Sequence, residues 1–151
     1  LPIWDPPPTG PSDEAVEADV IDERTPQIVR LRHSPGAAQG FAAGDTIDIS
    51  TRPPTLLRRG GNLCVQLWLD DARELDLAID ELLPGVEALG GRVDGGSNHM
   101  RVLTIPATAG FAQVEALMTS AATRRARIEW MFGNVYDPTS GEPLGWWDAK
   151  H

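Results

Sequence analysis

One cysteine and three histidines leave nucleophilic chemistry few places to reside. Cys64 lies in an alternating apolar run, where a free cysteine usually serves as a small buried hydrophobe. His33 stands near the end of another alternating run, His99 beside a Gly/Ser/Asn turn and His151 at the last position. A Cys64–His99 pair across a sheet is the only thiol–imidazole arrangement the spacing suggests, and simple packing of Cys64 outweighs it. No Gly-x-Ser-x-Gly elbow occurs, so an α/β-hydrolase site has no support. There is no Cys-x-x-Cys, no His-Glu-x-x-His and no Asp-x-Asp-x-Asp-Gly loop, and neither a metal nor a cofactor is expected. Residues 36–44 read Gly-Ala-Ala-Gln-Gly-Phe-Ala-Ala-Gly but lack the Gly-Lys-Ser/Thr ending of a phosphate loop. They lead into a strand, so no helix N-terminus awaits an anion, and the glycines are read as allowing positive φ in an inter-strand loop. Carboxylates at strand ends can act as acid and base, and Asp70-Asp71 occupy such a place. Asp71, however, is the expected cap of the next helix, and Asp45, following Gly44, is expected to be a turn residue. No catalytic residue is assigned.

What remains for function is surface. Gln66, Trp68, Trp130, Met131, Tyr136, Trp146 and Trp147 could supply an apolar patch, since Trp and Tyr are favoured interface anchors. Packing is the better reading for Trp68 and Trp130, whereas Trp146 and Trp147 are balanced between packing and partner contact.

The elements that would position these residues fall into two halves. Residues 1–13 are rich in proline and form an expected extended arm. Residues 14–61 hold short strand-like runs at 16–22, 27–33 and 45–51, with a further short strand beginning at Leu56-Leu57. In them Val29, Leu31 and His33 face one way, and Ile47 and Ile49 share a side. Turn-rich separators between such short strands suggest a small barrel-like β part, a barrel or a curled sheet. Residues 62–137 are expected to form a ferredoxin-like β-α-β-β-α-β split sandwich. Leu63, Val65, Leu67 and Leu69 make one face of its first strand, Cys64, Gln66 and Trp68 the other. Asp71 and Glu74 suit a capping box before a helix carrying Leu75, Ile79, Leu82, Leu83, Val86 and Leu89, which Pro84 should kink or split. A hairpin turning at residues 95–98, a second helix with Phe111, Val114, Leu117, Met118 and Ala121, and a last strand with Ile128, Trp130 and Phe132 on one face complete the unit. Residues 138–151 form an aromatic tail expected to fold back on an apolar surface, with the helix-free sheet face as a candidate.

The 151 residues are 41% hydrophobic, enough to bury a core without a disulfide. No apolar run nears the roughly 18 residues a membrane span needs, and Leu1-Pro2-Ile3-Trp4-Asp5 lacks the features of a signal peptide. A cytoplasmic location is expected. The net charge of −9 makes nucleic acid and anionic membrane poor partners and favours a basic protein.

Several stretches resemble the bacterial family called domain of unknown function 4265. They are Arg32-His33-Ser34-Pro35, Gly40-Phe41-Ala42-Ala43-Gly44-Asp45-Thr46-Ile47, Arg59-Gly60-Gly61-Asn62 and Leu89-Gly90-Gly91. Gly133-Asn134-Val135-Tyr136-Asp137, Pro143-Leu144 and Trp146-Trp147 complete the likeness. The resemblance implies no established activity; by analogy, some small acidic bacterial domains act as immunity partners of secreted toxins. The first expectation is therefore a non-enzymatic acidic protein-binding domain of the toxin-immunity kind, with Asp76, Asp80, Glu87, Trp146 and Trp147 as contacts. The alternative is a small-molecule binding or sensing domain, with Gly40, Gly44, Arg58, Arg59 and Trp68 near a groove between the two halves. A hydrolase-type enzyme using Asp70 or Cys64 is the lesser alternative.

Overall fold

The computed structural model describes residues 16–147 apart from 37, 126 and 138; the proline-rich arm and the end of the tail lie outside them. The architecture is mixed α+β, with two antiparallel four-stranded sheets and two helices. The first sheet is a meander of β1 (Ala18–Val20), β2 (Ile28–Leu31), β3 (Thr46–Asp48) and β4 (Thr55–Arg58), each strand paired with the next. Of the two expected forms, a closed barrel is not found: strands of three or four residues, with β1 and β4 at opposite edges, leave the sheet open. Strand β1 is also shorter than the run at 16–22, because Glu17, Ile21 and Asp22 lie outside the pairing.

The second sheet holds β5 (Asn62–Trp68), β6 (Arg92–Gly96), β7 (Met100–Pro106) and β8 (Glu129–Phe132) in the order β6-β7-β5-β8. Helix α1 (Ala72–Ala88) connects β5 to β6, and α2 (Phe111–Arg124) connects β7 to β8. Both helices cover one face. Leu75, Ala78, Leu82 and Val86 of α1, with Val114, Met118 and Ala121 of α2, pack on Leu63, Val65, Leu67, Leu103, Ile105 and Phe132. Asp71 caps α1 by accepting a 3.0 Å bond from the Glu74 amide, while the Glu74 carboxylate lies 3.8 Å from Arg127 Nη1. Of the two expected effects of Pro84, a split does not occur: α1 runs through it as one helix. Proline removes one helical hydrogen bond, to the carbonyl four residues back, and that residue, Asp80, is exposed and open to water. Leu82 and Val86, buried on either side of the proline, hold the last turns against the sheet.

The other face of the second sheet is covered as well, and not by the tail. Cys64, Met100 and Val102 pack against Ala42, with Trp68 at the margin. Ala42 belongs to the long connection between β2 and β3, and the preceding residue, Phe41, packs on Val29, Leu31 and Ile47 of the first sheet. This connection is therefore a layer between the two sheets, with successive side chains turned to opposite sides. The tail instead reaches the helix-covered core: Trp147 stacks on Phe111 at 5.1 Å, and Phe111 on Phe132 at 4.7 Å.

Candidate functional site

Alternation in the first sheet separates apolar from charged side chains. Ala18 stands opposite Leu31, Val20 opposite Val29, and Val29 opposite Ile47, so these share one face. Asp19 opposite Arg30, Arg30 opposite Thr46 and Ile28 opposite Asp48 share the other. The apolar face is only partly covered by the Phe41 layer. Beside it a cavity of about 690 Å³ opens, within the range of small-molecule pockets. Val16, Ala18, Val29, Leu31, Ile47 and Ile49 form its sheet wall. Pro35, Ala38 and Phe41 of the interlayer connection form the facing wall, and Thr51, Arg52, Pro53 and Pro54 of the β3–β4 turn close one end.

Two polar clusters hold the interlayer connection that builds the facing wall. In the first, buried Asp45 accepts 2.9 Å and 2.8 Å bonds from the amides of Ala42 and Gly60, and Arg59 Nη1 stands 3.7 Å away. Burial pushes the Asp45 carboxyl above its ordinary pKa, opposed by the two amide donors and the Arg59 charge. Arg59 also donates to the Gly40 carbonyl at 2.7 Å and lies over the Trp146 ring at 5.1 Å. The Asn134 side chain extends the β5–β8 ladder beyond β8: it accepts from the Cys64 amide at 2.9 Å and donates to the Asn62 carbonyl at 2.9 Å. Trp146 Nε1 donates to the Asn134 carbonyl at 2.8 Å, tying in the tail.

The second cluster centres on buried Asp94, which accepts from the Ser34 amide at 2.8 Å, from Arg92 Nε at 2.6 Å and from the Thr104 hydroxyl. His33 Nδ1 is 3.4 Å from Asp94, and its Nε2 is 3.5 Å from Glu17. The Ser34 hydroxyl is 2.6 Å from the Thr104 hydroxyl and accepts from the Ala43 amide at 3.0 Å. Serine, histidine and aspartate thus meet, but not as a nucleophile and its base: both imidazole nitrogens face carboxylates, and the serine hydroxyl is buried in its own bonds.

The residues singled out from the sequence are distributed unevenly. Gly40 and Arg59 meet in the Asp45 cluster. Gly44 touches it through a close approach to Gly60, where an added Cβ on Gly60 would lie 2.3 Å from the Gly44 carbonyl carbon. Arg58 is exposed on β4, and Trp68 is half-buried at the far end of β5. None of these five lines the cavity, which lies within the first half and not between the halves. Asp76 is bonded to Arg101 at 2.8 Å, while Asp80 and Glu87 are exposed on α1. Trp146 and Trp147 are half-buried against the main core. Cys64 and His99 do not pair: Cys64 is buried with Sγ 3.5 Å from the Pro35 carbonyl, whereas exposed His99 accepts from the Leu69 amide at the opposite end of β5. Asp45 proves to be a buried anchor as well as a turn residue. The amides of the glycine-rich connection are engaged: Gly40 donates to the Gly133 carbonyl and Gly44 to the Leu31 carbonyl, leaving those donors turned away from any anion. The cavity was foreshadowed by the alternation of Val29, Leu31, Ile47 and Ile49, but its second wall comes from a segment with no periodic signal.

No curated protein matches the sequence. Among solved structures, the chain is similar to a hypothetical protein from Neisseria gonorrhoeae, described as a novel crystal structure, with a TM-score of 0.58 and 12% identity. The likeness covers 78% of this chain and 80% of that one, and at this identity it is a likeness of fold. The family model for the domain of unknown function 4265 matches residues 14–130, a span that takes in both polar clusters except for Gly133, Asn134 and Trp146. With most of its length matched in this way, the chain belongs to the family of the domain of unknown function 4265.

Proposed function

We propose that the protein is a non-enzymatic binding domain whose ligand is a small, mostly apolar molecule held in the cavity of the first sheet. The observation that carries this reading is the 690 Å³ space walled by Val29, Leu31, Phe41 and Ile47. Buried apolar walls with few polar groups are what ligand pockets offer. The second half serves as the scaffold. We read it as a ferredoxin-like split sandwich, a reading supported by its β-α-β-β-α-β order and the strand sequence β6-β7-β5-β8. A thermal-shift screen of apolar metabolites tests the function: a saturable rise in melting temperature is expected. The same compounds should leave an Ala18→Phe variant, with its pocket wall built inward, unshifted. Equal shifts in both proteins would place binding elsewhere, and no shift with any compound would contradict the proposal.

The net charge of −9 and the exposed Asp80 and Glu87 favour a second reading, an acidic surface that docks a basic protein of the toxin type. The rest of α1 supports it less, because Asp76, Glu81 and Glu74 each face an arginine of this same chain. Recovery of a basic partner at low salt, lost in an Asp80→Lys/Glu87→Lys variant, is the expected result for this reading. Unchanged recovery with the variant would oppose it.

A further inference from the structure

The cavity is graded from dry to wet. Val29, Leu31 and Ile47 on its sheet wall are 6%, 6% and 5% exposed, whereas Ile49, farther along the same wall, is 51% exposed. The inner end is therefore apolar and closed to water, and the Ile49 end, beside the β3–β4 turn, meets it. The polar groups of the described lining are already engaged. The Thr51 hydroxyl donates to the Pro53 carbonyl at 2.9 Å and meets the Thr55 hydroxyl at 2.8 Å. Arg52 and Ala38 hold interactions within the chain, and the Pro35 carbonyl accepts from Cys64 Sγ and Gln66 Nε2, each at 3.5 Å. Pro35, Pro53 and Pro54 bring no amide proton. A head group carried inward would lose its water without gaining a partner among these residues, a cost that the burial of hydrocarbon does not carry. Resting on the binding function proposed above, we infer that the ligand is an alkyl-chain amphiphile that enters tail first, its chain along Val29, Leu31 and Ile47 and its head group in the water at Ile49. The site reads the length of the tail and not the charge of the head.

Calorimetric titration of the whole chain with 1-hexanol, 1-octanol, octanoate and octylamine, each below its micelle threshold, tests this. Octanol should bind more tightly than hexanol by about fourfold per methylene, the gain from taking one CH2 group out of water. At physiological salt, octanol, octanoate and octylamine should bind within about threefold of one another, because a solvated head contributes little. Ile49→Lys, a change at a half-exposed position, should favour octanoate and disfavour octylamine by about two- to fivefold each, with octanol still bound, which shows the variant to be folded. Equal affinity for hexanol and octanol, a wider spread among the three heads in the wild type, or no split between octanoate and octylamine in Ile49→Lys would overturn the tail-first assignment while leaving an apolar site intact. Binding of none of the four would overturn both the assignment and the cavity's function.

Discussion

At the scale of single residues, the molecule depends on a few buried polar atoms with demanding geometry. Gly60 passes so close to Gly44 that a methyl group has nowhere to go except into backbone. Gly60→Ala should therefore destabilise the protein by about 1–3 kcal/mol, the usual cost of overpacking, read as a lower urea midpoint. Asp45 offers a sharper test. Its folded-state pKa is raised, chiefly by burial, so between its unfolded and folded values the native state holds the extra proton. The stability it contributes is thus fully present below the unfolded value and is lost as pH rises through the folded one. The stability gap between the wild type and Asp45→Asn should widen as pH falls from neutrality toward about 4. A gap that narrows would mean that the Gly60 and Ala42 amides and Arg59 outweigh burial. None of this was legible from residue types. Asp after Gly reads as a turn, which Asp45 also makes, but burial and the bond to Gly60 depend on a segment 15 residues away.

At the scale of elements, the second half was the more readable because its periodicities are long. Seven residues of β5 and seventeen of α1 repeat their apolar positions often enough to declare both type and face. The helix there does not split at Pro84, because tertiary packing outweighs a single lost hydrogen bond. The first half was left between a small barrel and a curled sheet because short strands do not say whether a sheet closes. The connection between β2 and β3 had no periodic signal at all, yet it is the layer that joins the sheets. Ala42 is its tightest point, fully buried against Cys64, Met100 and Val102. Ala42→Leu should loosen this seam at a cost of about 1–3 kcal/mol. Hydrogen exchange should then accelerate in β1–β4 more than in the core of β5 and β7. Uniform acceleration across both sheets would show instead that the two halves open as a single unit.

At the scale of the whole molecule, the two sheets have different tasks. The second sheet buries both faces and takes two helices and the aromatic tail into one continuous core. The first sheet has an apolar face that the described residues cover only in part, and beside it lies a space of ligand size. The measurement bearing most directly on the account is a methyl NMR titration of the whole chain with 1-octanol. Saturable shifts confined to Val16, Val29, Leu31, Ile47 and Ile49 are the predicted result. Shifts that do not saturate, or that fall on Leu63, Val65 and Leu82 in the second core instead, would contradict a ligand site in the first sheet.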